Sequence, residues 1–191
     1  MERRTTLIVA AAFVVGAASG AFGLLAAHWP SVRTSATPPA GPAWTEVAWP
    51  FPLDQWGKGK AYRCGAEACG TEVQLYLRAK IGFCNCATGV SDDEELERLS
   101  DFDLMGSQVA ALASGRAITV QWMKGRSRPY AVSGPLRHGQ SALSVAFNDR
   151  CDALVATAVV GHDSPPAIEP HVIAFLNGST VLRWAEAVLG L

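Results

Sequence analysis

Residues 71–86 read TEVQLYLRAKIGFCNC, and the reading of this stretch decides the fold. Val73, Leu75, Leu77, Ala79, Ile81 and Phe83 alternate with Glu72, Gln74, Tyr76, Arg78 and Lys80. A period of two puts the first set on one side of a strand and the second set on the other. The expectation is a long strand with one buried face and one wet face. Four of the five cysteines stand at its ends, Cys64 and Cys69 before it and Cys84 and Cys86 where it stops.

Upstream, residues 60–64 form a short strand and 65–68 a turn, so that Cys64 and Cys69 flank a hairpin loop. Trp44, Trp49, Phe51 and Trp56 gather around Pro50 and Pro52. This is read as the first ordered segment, folded back to lay aromatic rings on the sheet, with a ligand-binding arm as the other option. The ordered domain is expected over residues 44–191. Residues 28–43, with Pro30, Pro38, Pro39 and Pro42 among Ser, Thr, Ala and Gly, lack periodicity and form a tether. A coil of that length reaches on the order of 20–25 Å.

Residues 7–27 carry no charge and would make about 31 Å of helix, matching a hydrocarbon core of roughly 30 Å. Arg3 and Arg4 precede them, so residues 1–6 stay cytoplasmic and the remainder is exported. A cleaved signal peptide is the competing reading, with cleavage near Ser19, Gly20 and Ala21. The apolar run continues through Phe22, Leu24 and Leu25, which favours an uncleaved anchor. The Ala- and Gly-rich composition points to a bacterium, hence an inner-membrane anchor and a periplasmic domain. Gly16 and Gly20 form a small-residue step through which two such helices would approach as a homodimer.

Downstream, Ser91-Asp92-Asp93-Glu94 reads as a capping box opening a short helix, with Leu96 and Leu99 inward. Ile118, Val120 and Trp122 alternate with polar neighbours, and Gly125-Arg126-Ser127-Arg128 is expected to turn this strand into one from Pro129 to Val132. Lys124, Arg126 and Arg128 would then be a basic knot at the turn. Leu143, Val145 and Phe147 mark a further strand, and residues 153–160, apolar on both faces, a central one. Pro170 is taken as the first residue of a helix ending at Leu176. After Asn177-Gly178, Ser179 caps a last helix whose Val181, Trp184, Ala185, Val188 and Leu189 share one face.

Charge places a bound on partners: a formal net charge of -1 gives no basic excess for nucleic acid. Export directs the cysteines toward disulfides. Cys64 with Cys69, and Cys84 or Cys86 with Cys151, are the candidate pairs; one thiol is left over, and spacing does not fix the connectivity. In a second reading Cys84 and Cys86 project from one strand face and hold cuprous copper or zinc as thiolates, or join Cys64 and Cys69 in a four-thiolate zinc site. The run from Lys80 to Cys86 resembles the Cys-Phe-Cys motif of cytochrome-oxidase copper-assembly proteins, with Asn85 in place of the phenylalanine and over seven residues only. That resemblance implies copper at Cys84 and Cys86, one membrane helix and a domain outside it. A third reading makes Cys151 the nucleophile of a hydrolase, with His162 or His138 as base and Asp149 or Asp163 as orienter.

The sequence as a whole predicts an α+β domain, an antiparallel sheet of about five strands with C-terminal helices on one face, behind an N-terminal transmembrane helix. It is expected to be a disulfide-stabilised, non-catalytic accessory module for another envelope protein, with no cofactor. Copper or zinc handling is the alternative.

Overall fold

The computed structural model describes residues 43–105, 108–133, 139–161 and 165–191. The expected anchor (7–27, with Gly16 and Gly20) and all of the tether except Ala43 lie outside the described residues, as do His138, His162 and Asp163. In chain order the elements are β1 (Trp44–Val47), β2 (Lys60–Cys64), α1 (Ala66–Cys69), β3 (Val73–Lys80) and α2 (Asp93–Leu99). A 3-10 turn (Phe102–Met105) leads to β4 (Gln108–Ala111), β5 (Arg116–Val120), β6 (Met123–Ser133), β7 (Gln140–Asp149) and β8 (Asp152–Val160). The chain closes with α3 (Pro165–Leu176) and α4 (Ser179–Leu189).

The strands form one antiparallel sheet of eight, in the order β1-β2-β3-β8-β7-β6-β4, with β5 also paired to β6. Eight replaces the expected five partly because β1 and β4 span four residues each, too few to display a period. β8 is central, between β3 and β7, and is buried on both faces as its unbroken apolar sequence requires.

The face that the alternation in β3 predicts to be apolar carries the main core. Val73, Leu75 and Leu77 are fully buried with Val145, Phe147 and Leu154 beneath α3 and α4. The last helix presents Val181, Ala185 and Leu189 to this core, with Trp184 and Val188 partly buried beside them. Its C-cap is Gly190 in the left-handed conformation that a side chain would strain. Ile81 departs from expectation: it is 53% exposed, because the strand ends at Lys80 and the chain swings away through Gly82 at φ +67°.

The second face of the strand is exposed at Glu72 and Gln74, as read from the sequence, but covered further on. Tyr76, Arg78 and Lys80 are all buried. The segment carrying Trp49 and Phe51 folds back onto Tyr76, with ring centroids 6.2 and 4.8 Å away, and so acts as the aromatic cover read from the sequence. Helix α2 covers the neighbouring strands, placing Leu96 and Leu99 on Ala146 and Val155. Its N-cap is Asp92 rather than Ser91, and the Asp92 carboxylate accepts from the Glu95 backbone N–H at 2.8 Å.

Two other boundaries move. The hairpin turn falls at Gln121 and Trp122, with Gln121 at φ +55°, so residues 125–128 lie inside β6. The glycine there serves close approach, since a Cβ at 125 would overlap the Ala146 carbonyl oxygen and the Phe147 Cβ of β7. Pro129 sits where the outer edge of β6 passes from β5 to β4, the place at which a missing N–H costs no ladder bond. Two members of the basic knot thereby dock α2, while Lys124 stays exposed: Arg126 pairs with Asp93, and Arg128 donates to Glu97 at 2.6 Å. At the C-terminus Pro170 lies within α3, which starts five residues earlier, at Pro165.

The close packing at residue 125 makes Gly125→Ala destabilising by about 1–3 kcal/mol in urea unfolding. A variant as stable as the parent would return these residues to a turn. The Arg126 guanidinium, together with the Gly115 N–H, holds the Asp93 carboxyl below its usual 3.8 against an opposing burial effect. A depressed carboxylate contributes stability above that value and loses it as pH falls below. The destabilisation caused by Asp93→Asn should therefore be present at neutral pH and shrink below about pH 3.8, measured as the difference in Tm between the two proteins.

Candidate functional site

Two groups of chemically capable side chains meet where β3 ends. The first is ionic. Arg78 and Lys80 are brought to the covered face by the same alternation that buries Leu75 and Leu77 on the other. Their shared partner is Asp101, in the bend after α2. Arg78 donates to it through Nε at 3.1 Å and Nη2 at 2.6 Å, and Lys80 Nζ lies 2.9 Å from Oδ1. Asp54, from the aromatic arm, accepts from Arg78 Nη1 at 2.7 Å and from the Trp56 N–H at 2.8 Å. Burial alone would pull the Arg78 pKa down, but the two carboxylates, Asp101 above all, raise it and keep the guanidinium charged.

Rings enclose these charges. Trp56 and Phe83 stand 4.7 Å apart, and Lys80 Nζ lies 5.6 and 5.9 Å from their centroids. Arg98 of α2 also lies over the Phe83 ring, 4.4 Å from its centroid, and donates to the Phe83 carbonyl at 2.6 Å. The hollow bounded by Asp54, Trp56, Lys80, Phe83, Arg98 and Asp101 measures about 200 Å³. That is smaller than the roughly 300 Å³ at which ligand clefts begin. An apolar hollow of about 420 Å³ lies beside Trp44, Tyr62 and Phe175, between β1 and the junction of α3 with α4.

The second group is made of sulfur. Past Gly82, whose N–H donates to Asp152 at 2.6 Å, the chain runs beside the β7–β8 turn. The Cys84 N–H donates to the Cys151 carbonyl at 3.2 Å, and the Cys84 thiol to the Arg150 carbonyl at 3.2 Å. Cys86 is joined to Cys151 by a disulfide with Cα atoms 4.2 Å apart. The loop is further held by Asn85, which accepts from the Ala87 N–H at 2.9 Å, and by Asn148, which accepts from the Val90 N–H at 3.0 Å. Cys64 and Cys69 are joined across α1, with Cα atoms 6.1 Å apart. Cys84 is left as a buried thiol whose pKa is raised by burial first and then by Glu95 and Asp152.

These placements decide between the pairs that the sequence left open. Cys64 pairs with Cys69, Cys86 rather than Cys84 takes Cys151, and the odd thiol is Cys84. With Cys86 and Cys151 in a disulfide, neither Cys84 and Cys86 as two thiolates nor Cys151 as a nucleophile is available in this form of the protein. Asp149 pairs with Arg150 at 3.0 Å. Among the described residues, no group of three or more His, Cys, Asp and Glu side chains is placed to hold a metal ion, and no single helix is long and apolar enough to cross a membrane. Sequence reasoning passed over Asp54 and Asp101. Arg78 and Lys80 continue the polar alternation of Glu72 and Gln74, so the strand by itself carries no signal that they need buried acidic partners.

Removing the shared carboxylate tests the ionic group. Asp101→Ala leaves Arg78 and Lys80 buried with only Asp54 nearby, and should cost about 3–5 kcal/mol in denaturant unfolding. A cost under about 1 kcal/mol would mean that water reaches both cations and that the arm does not seal this face.

No protein-family model matches the chain, and no curated protein sequence matches it. Among solved structures it is similar to the solution structure of cyanobacterial PsbP (CyanoP) from Synechocystis sp. PCC 6803. The TM-score is 0.42 at 10% sequence identity, over 73% of this chain and 79% of that one.

Proposed function

We propose that the chain is an exported accessory module. Residues 7–27 hold it at the bacterial inner membrane, and the domain that begins at residue 44 works in the periplasm, binding another envelope protein and carrying out no reaction of its own. The observation that carries this reading is the commitment of four of five cysteines to disulfides. Disulfides persist in oxidising compartments and are rare in the cytosol. The bond from Cys86 to Cys151 closes a loop of 65 residues, worth roughly 4 kcal/mol by chain entropy, and the short one from Cys64 to Cys69 roughly 2 kcal/mol. Such sums exceed what a single exposed ion pair contributes, so the oxidised state belongs to the working form of the domain.

Thiol counting combined with metal analysis tests the reading. Protein taken from the periplasm, unfolded in a trapping reagent without reductant, should yield one alkylated cysteine per chain and carry no stoichiometric metal. Three or more alkylated cysteines together with bound copper or zinc would replace it with the thiolate metal-handling function. Recovery of the folded domain from the cytoplasm alone would end the export assignment.

A further inference from the structure

We propose that Cys84, Cys86 and Cys151 form a thiol–disulfide exchange site in which Cys151 changes partner, moving the free thiol from the buried position 84 to the exposed position 86. Three observations carry it. Cys84 is hydrogen-bonded through its backbone to Cys151 at 3.2 Å. By standard backbone geometry a single bond of that length leaves the two Cα atoms at most about 7 Å apart, the outer limit of the span that a disulfide bridges. The Cys84 thiol also lies 3.2 Å from the Arg150 carbonyl, one peptide unit from Cys151, so it points along the same turn. Finally, Cys86 lies in an exposed stretch of loop, residues 85–88, whereas Cys84 is 6% exposed.

The step balances without an external reagent. Cys84 gives up its proton, and the thiolate sulfur attacks Cys151 Sγ. The Cys84–Cys151 bond forms as the bond from Cys151 to Cys86 breaks, and the electron pair leaves on Cys86 Sγ, which takes up a proton. One disulfide and one thiol exist before and after, so nothing is oxidised or reduced overall. Attack on the other sulfur is disfavoured, since a bond within Cys84-Asn85-Cys86 would strain so small a ring. The Cys84 thiol faces Glu95 and Arg98 of α2 and Asp152 of β8; burial and the two carboxylates hold its proton on. Exchange is therefore slow at neutral pH and quickens as pH rises. It is independent of what the domain binds.

The full chain, purified oxidised, is incubated with a maleimide in native buffer at pH 8, quenched in acid and mapped by mass spectrometry. The expected result is one label per chain, on Cys86, with Cys84 bridged to Cys151. A label on Cys84, or none when the unfolded chain takes up one, overturns the proposal. Cys84→Ser should abolish labelling of Cys86, and labelling at the parent rate overturns it. Cys86→Ser, prepared oxidised, should contain a Cys84–Cys151 bond and no free thiol; two free thiols in the folded variant overturn it. Should that variant not fold, the parent map and Cys84→Ser decide the matter.

Discussion

Two cations buried on one strand need an anion, and much of this structure is arranged to deliver it. Arg78 and Lys80 lose their water because the arm and the bend after α2 close over them. An unpaired ion in that position costs several kcal/mol even after the protein relaxes, more than one ring contact returns. Asp101 meets both cations, and Asp54 meets one of them from the opposite side. The aromatic arm can therefore be understood as a carrier of charge as well as of rings. Trp49 and Phe51 bury area on Tyr76, while the turn that follows, closed by the Gly57 N–H on the Asp54 carbonyl at 3.0 Å, aims the carboxylate at Arg78.

The same logic runs along the sheet to α2. This helix is only seven residues long, too short to be stable by itself. It is held by Leu96 and Leu99 against the sheet and by Asp93 and Glu97 against Arg126 and Arg128 of β6. Arg98, from the side toward β3, reaches the Phe83 carbonyl and Glu95. The helix thus ties the edge formed by β5 and β6 to the loop that carries Cys84 and Cys86. Its acidic residues complement its own dipole and the strand cations at once.

What was legible in the sequence was whatever one strand or helix states alone. The inward set of β3, the double-faced apolar run of β8 and the stripe of α4 all appear where the periods place them. Illegible were the features that a second segment decides. Arg78 and Lys80 look like solvent residues until an arm more than twenty positions earlier covers them. Gly125 looks like a turn residue because its need for a missing Cβ comes from β7, distant in sequence. Ile81 keeps the alternation going one step past the point at which Gly82 redirects the backbone. The sulfurs fall between these cases. Spacing offered both Cys84 and Cys86 to Cys151, and only the way the loop lies along the β7–β8 turn separates them.

That near-equivalence has a physical cause. Residues two apart on an extended chain share a face, so spacing alone offers both to Cys151; in the structure the chain bends at Cys84 and turns at Cys86, leaving one buried and the other exposed. What breaks the tie is the surroundings. Cys84 lies against Val90, Leu96 and Ala153, and a thiol there adds apolar volume at no cost in charge. Cys86 stands in the exposed loop, where burial offers nothing and a covalent bond to Cys151 adds to the hydrogen bonds of Asn85 and Asn148 that hold the segment. The observed pairing leaves the protonated thiol in the dry site and puts the bond in the wet one. Exchange reverses the two, so its equilibrium weighs half a disulfide in place of a thiol at position 84 against loss of the bond that pins the exposed loop.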